Sequence, residues 1–342
     1  VCWVARANRE VAEVVHAFPG VPPAARADPD RIFARAEAHG VAGILWDAWN
    51  AAGLPLSEPL ASALAAREVA RSIEHDAHVA MLARIDAELA RCGMDAVALK
   101  GPLFARRYYP RPSARGSTDI DLLVMEPQIE GAARALAAVG YVGVDTPEEE
   151  RFRLEHHHLH FHHAHAPVLE LHFHAYRGFG VTLASDTLLV QSERASGFAR
   201  MRVPSPAAEL VYLAVHAASH RFGRLGWLLD MKLICERLTR EEIELAAAHA
   251  RAWGVARVVA LAARLLVDVA GVASELVRPL GVLGPTRARL VRSVLVEPEA
   301  RVRRAATRLV YTTALADSWP NALRQVRDTA MSKARQLVRW RP

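Results

Sequence analysis

The sequence predicts an α+β fold, a small mixed β-sheet flanked by an N-terminal and a C-terminal helical region. Three observations carry that prediction. Residues 1–92 place apolar side chains at helical spacing. Residues 93–200 change to short apolar runs separated by Gly, Pro and Ser, the texture of strands and turns. Residues 201–342 return to alanine- and arginine-rich helical patterning. At 342 residues the chain is longer than one hydrophobic core usually serves, which fits this three-part plan.

The elements follow in chain order. "DPDRIFARAEAHGVAGILWDAWNAAG" opens on Asp28 and Pro29, helix-start signals, and continues at helical spacing. "EPLASALAAREVARSIEHDAHVAMLARIDAELARCG" is one long alanine-rich amphipathic helix that stops at Gly93. "DAVALK" is a short strand, and "GPLFARRYY" starts a helix with Gly101 and Pro102 in its first turn. "YPRPSARGST" is a loop, "DIDLLVM" a strand, "EPQIEGAARALAAVG" a helix ending in glycine, and "YVGV" another strand. "HHHLHFHH" and "VLELHFH" are two further strands joined by a turn, and period two puts Glu170, His172 and His174 on one face. From about Pro204 the pattern is helical to the end, without internal repeats.

Composition narrows the functional classes. The chain is 52% hydrophobic and 23% charged, as expected of a globular protein. Its three cysteines, Cys2, Cys92 and Cys235, form neither a metal spacing nor a disulfide framework, so a reducing cytoplasm is the expected compartment. No basic segment followed by an apolar stretch marks a signal peptide at the N-terminus. "VVALAARLLVDVAGVA" is broken by Arg264 and Asp268 and is too short for a bilayer span, so no membrane partner is expected. From Pro285 onward thirteen Lys/Arg face four Asp/Glu. Such a tail can attract nucleic acid, although a solvated arginine face is the plainer reading.

The chemistry concentrates in "LKGPLFARRYYPRPSARGSTDIDLLV". Asp119 and Asp121 alternate on a strand, so both carboxylates leave the same face and repel unless a cation lies between them. Removing one of them is therefore expected to relieve repulsion in the metal-free protein. Hard oxygen ligands of this kind suit magnesium, or manganese in its place. Glu170 in "VLELH" is the candidate third carboxylate for a pair of such ions. Lys100 is one of only three lysines among 43 Lys/Arg residues. It stands at a helix start, where a phosphate is favoured, and Arg115 is spaced to clamp a phosphate with a guanidinium fork.

This segment, together with "VLELHFH" and "HAASHRFGRLGWLLD", resembles the uncharacterised nucleotidyltransferase family of the polymerase-beta-like superfamily, from about Ala96 to Asp230. The resemblance implies that Asp119, Asp121 and Glu170 are catalytic and hold the metals. It also implies that Glu170 takes the proton of an attacking hydroxyl. Lys100 and Gly101 would replace the superfamily's Gly-Ser phosphate loop. Gly116-Ser117 lies directly before the aspartates, too close to be that loop, and Ser117, Arg115 and His172 complete the expected nucleotide contacts. The implied partners are a nucleoside triphosphate, as substrate, and an acceptor that no motif identifies.

Nine of the sixteen histidines fall between His156 and His174. Alternate members His156, His158, His160 and His162 would share a strand face, where zinc or nickel is one reading and plain exposure another. His216 and His220 lie one helical turn apart and could meet Asp230. The expected function is magnesium-dependent nucleotidyl transfer. The alternatives are a non-catalytic nucleotide-binding module, a toxin-like enzyme that modifies tRNA or protein, and a metal-dependent phosphohydrolase built on the histidines.

Overall fold

A computed structural model describes residues 9–18, 28–143, 157–295 and 304–339. The first four described helices are α1 (Arg9–Ala17), α2 (Pro29–Ala38), α3 (Ala42–Ala51) and α4 (Glu58–Arg91). Asp28 caps α2 by accepting from the Asp30 N–H at 3.1 Å, with Pro29 in the first turn. Helix α4 runs for 34 residues, about 50 Å at 1.5 Å per residue. It ends where Gly93 adopts φ +68°, a left-handed conformation that glycine enters without steric penalty.

The sheet region then contains β1 (Ala96–Ala98), α5 (Pro102–Tyr108), β2 (Asp119–Leu123), α6 (Ile129–Ala138), β3 (Val142–Gly143), β4 (His158–His163) and β5 (Ala166–His172). It continues through β6 (His174–Gly178), β7 (Val181–Ala184), α7 (Ser185–Val190), β8 (Ser192–Arg194) and β9 (Met201–Pro204). Seven strands form one mixed sheet in the order β3-β4-β5-β2-β1-β9-β8, and β6 and β7 pair separately. Eight helices complete the described chain. They are α8 (Pro206–Ser219), α9 (Leu225–Cys235), α10 (Arg240–Ala252), α11 (Ala256–Asp268), α12 (Ser274–Val277), α13 (Pro285–Leu295), α14 (Arg304–Leu315) and α15 (Trp319–Arg339). None of the described helices is long and apolar enough to cross a membrane.

Period-two alternation sorts the sheet's residues onto two faces. Ala98, Ile120, Leu122, Leu169 and Leu171 point to a core shared with Leu82, Ile85 and Leu89 of α4 and Leu136 of α6. On the opposite face Val97, Leu99 and Leu123 join the larger core built by α8, α9 and α11. Toward β5 and β4 that second face turns polar, and the candidate site lies there. Full burial of a leucine or isoleucine is worth about 1.5–3 kcal/mol, so the apolar face fixes the strand register that positions the polar one.

Two features depart from the expected strands. His174 does not continue the Glu170–His172 face. Strand β5 stops at His172, Phe173 is fully buried in the α4-side core, and His174 opens the separate β6–β7 pair. The alternating pattern runs across this break, so periodicity alone hides it. The sheet also extends past residue 200, because β9 inserts parallel to β1. Asp86, buried on α4, sets that strand by accepting from the N–H groups of Ala199, Arg200 and Met201 at 2.7, 2.7 and 2.5 Å.

The basic C-terminal segment folds back onto the β6–β7 turn. Gly180 has φ +75°, and a Cβ there would lie 1.8 Å from the Asn321 carbonyl oxygen. Its carbonyl accepts from Arg324 and its N–H donates to Gln325, each at 3.0 Å.

Candidate active site

Strand register assembles the site. Parallel pairing of β2 with β5 sets Asp121 opposite Glu170, and antiparallel pairing of β5 with β4 sets Glu170 opposite His160 and His172 opposite His158. Asp119 precedes Asp121 by two residues and therefore shares its face. The structure thus brings Asp119, Asp121, Glu170 and His172 together on one polar surface.

Lys100 reaches this surface from the end of β1. The Leu99 N–H donates to the Asp121 carbonyl at 3.1 Å, which extends the β1–β2 ladder. Gly101 then turns the chain with φ +83°, close against Ser117. Lys100 Nζ lies 3.0 Å from Asp119 Oδ2 and 2.9 Å from Asp121 Oδ2. Burial alone would lower the lysine pKa, but Asp121 and then Asp119 raise it above the usual lysine range. Burial likewise pushes the Asp121 carboxyl up, and the ammonium and His172 overcome this to hold it well below the usual carboxylate range. A cation therefore already bridges the two aspartates. Two hard carboxylate oxygens, one from each aspartate, hold that positive charge, the donor chemistry that magnesium or manganese takes, so these residues fit such an ion once the lysine yields its place.

His172 sits behind the carboxylates, 3% exposed. Its Nε2 is 3.3 Å from Asp121 Oδ1 and 3.5 Å from Glu170 Oε2. Burial works against its charged form, and the two carboxylates raise its pKa nonetheless. Hydrogen bonding to His172, opposed by burial, lowers that of Glu170. The His158 and His160 Nε2 atoms each lie 3.9 Å from a Glu170 oxygen. His158 is held neutral, pushed down to about 4 by burial and then by the charge of His172. His156 lies outside the described residues.

Arg115 and Ser117 support the loop before Asp119. Arg115 forks onto Asp230 of α9, with Nε 2.9 Å from Oδ1 and Nη2 2.8 Å from Oδ2. Tyr109 Oη donates to the same carboxylate at 2.7 Å. The Ser117 hydroxyl donates to the Asp119 carbonyl at 3.1 Å. Asp230 is therefore the partner of Arg115 and Tyr109 rather than of His216 and His220, because α9 turns it toward the arginine loop. The two histidines instead pack against Trp227, His216 edge-on at a ring-centroid distance of 5.5 Å and His220 tilted at 5.2 Å. His216 on α8 is close enough to Lys100 for that charge, after burial, to lower its pKa. Nothing local in the sequence signals the Asp86 anchor or the packing of the histidines on Trp227, since both depend on how helices pack.

The chain matches a family described as uncharacterised nucleotidyltransferase over residues 25–271, which include every site residue above. No curated protein and no solved structure matches it.

Proposed function

The chain belongs to the uncharacterised nucleotidyltransferase family, and we propose that it transfers a nucleoside monophosphate from a nucleoside triphosphate to an acceptor hydroxyl or phosphate, releasing pyrophosphate. The observation that supports this most is the gathering of Asp119 and Asp121 around one cation, with Glu170 in register beside Asp121. Asp119, Asp121 and Glu170 would hold magnesium or manganese, which when bound neutralises charge on the phosphates and the leaving pyrophosphate. The acceptor oxygen bonds to the α-phosphorus, the bond from that phosphorus to the bridging oxygen breaks, and pyrophosphate leaves. Where the acceptor is a hydroxyl, its proton passes to the Glu170 carboxylate. His172 orients Glu170 and Asp121 from behind. Lys100, freed from the aspartates, carries its charge to the triphosphate, and Gly101 and Ser117 allow the two loops to approach closely. Arg115 serves from its place against Asp230, as the anchor of the loop that ends in Asp119.

Pyrophosphate release, measured with each of the four triphosphates and with cell extract as acceptor, tests the reading. Release that requires a divalent ion and one preferred triphosphate is the expected result. Triphosphate binding without release from any acceptor pool would instead make the chain a binding module.

Lys100→Met is expected to weaken triphosphate binding about tenfold or more, the worth of one charge-assisted contact. Lys100→Arg should restore it only partly, because a planar guanidinium cannot bridge the aspartates as a compact ammonium does. The same Met variant should melt lower than wild type in chelator and gain more from added magnesium, since no lysine competes for the carboxylates. Equal magnesium stabilisation of both proteins would show that the lysine and the ion do not share one place.

A further inference from the structure

We propose that His158, His160 and Glu170 form a nitrogen-rich site for one divalent ion of the zinc class, beside the oxygen site at Asp119 and Asp121 and sharing Glu170 with it. The three side chains are set by hydrogen-bonded neighbours, since β4 and β5 pair antiparallel with His160 opposite Glu170. His158 stands two residues earlier on the same face. Each imidazole presents Nε2 to a different carboxylate oxygen, His158 to Oε2 and His160 to Oε1, both at 3.9 Å. One donor atom from each of the three residues falls within 4.8 Å of the others. Donors bound tetrahedrally at 2.0–2.2 Å are about 3.3–3.6 Å apart. The two nitrogen–oxygen distances must shorten by a few tenths of an ångström and the widest separation by about an ångström, a range that side-chain rotation covers.

Chemistry separates this trio from the aspartates. Two imidazoles and one carboxylate suit zinc, cobalt or nickel, whereas carboxylates alone suit magnesium. Three protein ligands leave a fourth position for water or substrate, as in open zinc sites. The three side chains retain 17%, 38% and 25% exposure, so an ion can enter from solvent. His172 is not part of the trio. It is buried against Asp121, which leaves the outer histidines to face Glu170. Both this site and the nucleotidyl-transfer reading use Glu170, but binding of the ion requires no transfer and is read without it.

The test is titration of the metal-free full chain with Co2+ under excess magnesium, followed by the visible absorption of four-coordinate cobalt, and with Zn2+ by calorimetry. One ion per chain is expected. His158→Gln and His160→Gln should each weaken it by at least about tenfold, about 1.4 kcal/mol. Asp119→Asn and the control His165→Gln should leave it unchanged. Melting curves identify any variant that fails to fold, and two independent histidine variants guard against losing one. The inference falls if no ion binds under excess magnesium, if neither folded histidine variant alters binding, or if Asp119→Asn abolishes it. The readout is a bound ion rather than released pyrophosphate, so a chain that transfers no nucleotide still tests this site. Conversely, an active enzyme that binds no cobalt overturns this site alone.

Discussion

Asp121→Asn is expected to fold yet to release pyrophosphate about a hundred- to a thousandfold more slowly than wild type. The amide keeps the shape of the carboxylate but removes its charge from the centre of the site, between Lys100 and His172. A contact that stabilises transition-state charge is worth several kcal/mol, and each 1.36 kcal/mol is a factor of ten in rate. Steady-state turnover under saturating magnesium checks the effect, and a loss smaller than tenfold removes Asp121 from the chemistry. The structure also reverses the expected sign of the stability change. Two bare carboxylates would repel, and removing one would stabilise the metal-free fold. With Lys100 bridging them, the substitution instead takes a charge partner from a buried ammonium and from His172. Thermal melting in chelator should therefore fall, and a rise would show that the bridge does not form.

Asp230→Ala is expected to destabilise the protein by about 3–5 kcal/mol, the usual result of removing one partner from a buried ion pair. Arg115 retains 10% of its side-chain exposure and Asp230 only 2%, so water cannot replace the lost acceptor. Tyr109 loses its hydrogen bond in the same step. Asp230→Asn keeps an acceptor for Tyr109 but not the charge, and should fall between wild type and Ala. Urea unfolding measures both, and an Ala variant within about 1 kcal/mol of wild type would mean that the Arg115 fork contributes little. Turnover should drop with stability, because the same fork holds the loop that delivers Asp119.

Much of this architecture is written in local pattern. Cap residues and helical spacing mark α2 and α4, and glycine ends the latter, because backbone conformation and amphipathic period act over a few residues. The alternation of Asp119 and Asp121 follows from the pleat of a single strand, and an acid flanked by leucines marks Glu170 as a polar group on a buried strand. Other relations have no local signature. The Arg115–Asp230 fork joins residues 115 apart, Asp86 holds Met201 across the same separation, and β9 enters the sheet beside β1 rather than continuing the chain's local order. Lys100 could be singled out as a rare ammonium, but its place between the aspartates follows from the β1–β2 register and the turn at Gly101. The sequence by itself determined the residue types and faces that carry the chemistry, through periodicities of two and 3.6. Only the tertiary structure decided which buried charge meets which, because those pairings depend on strand order and helix packing between segments far apart in the chain.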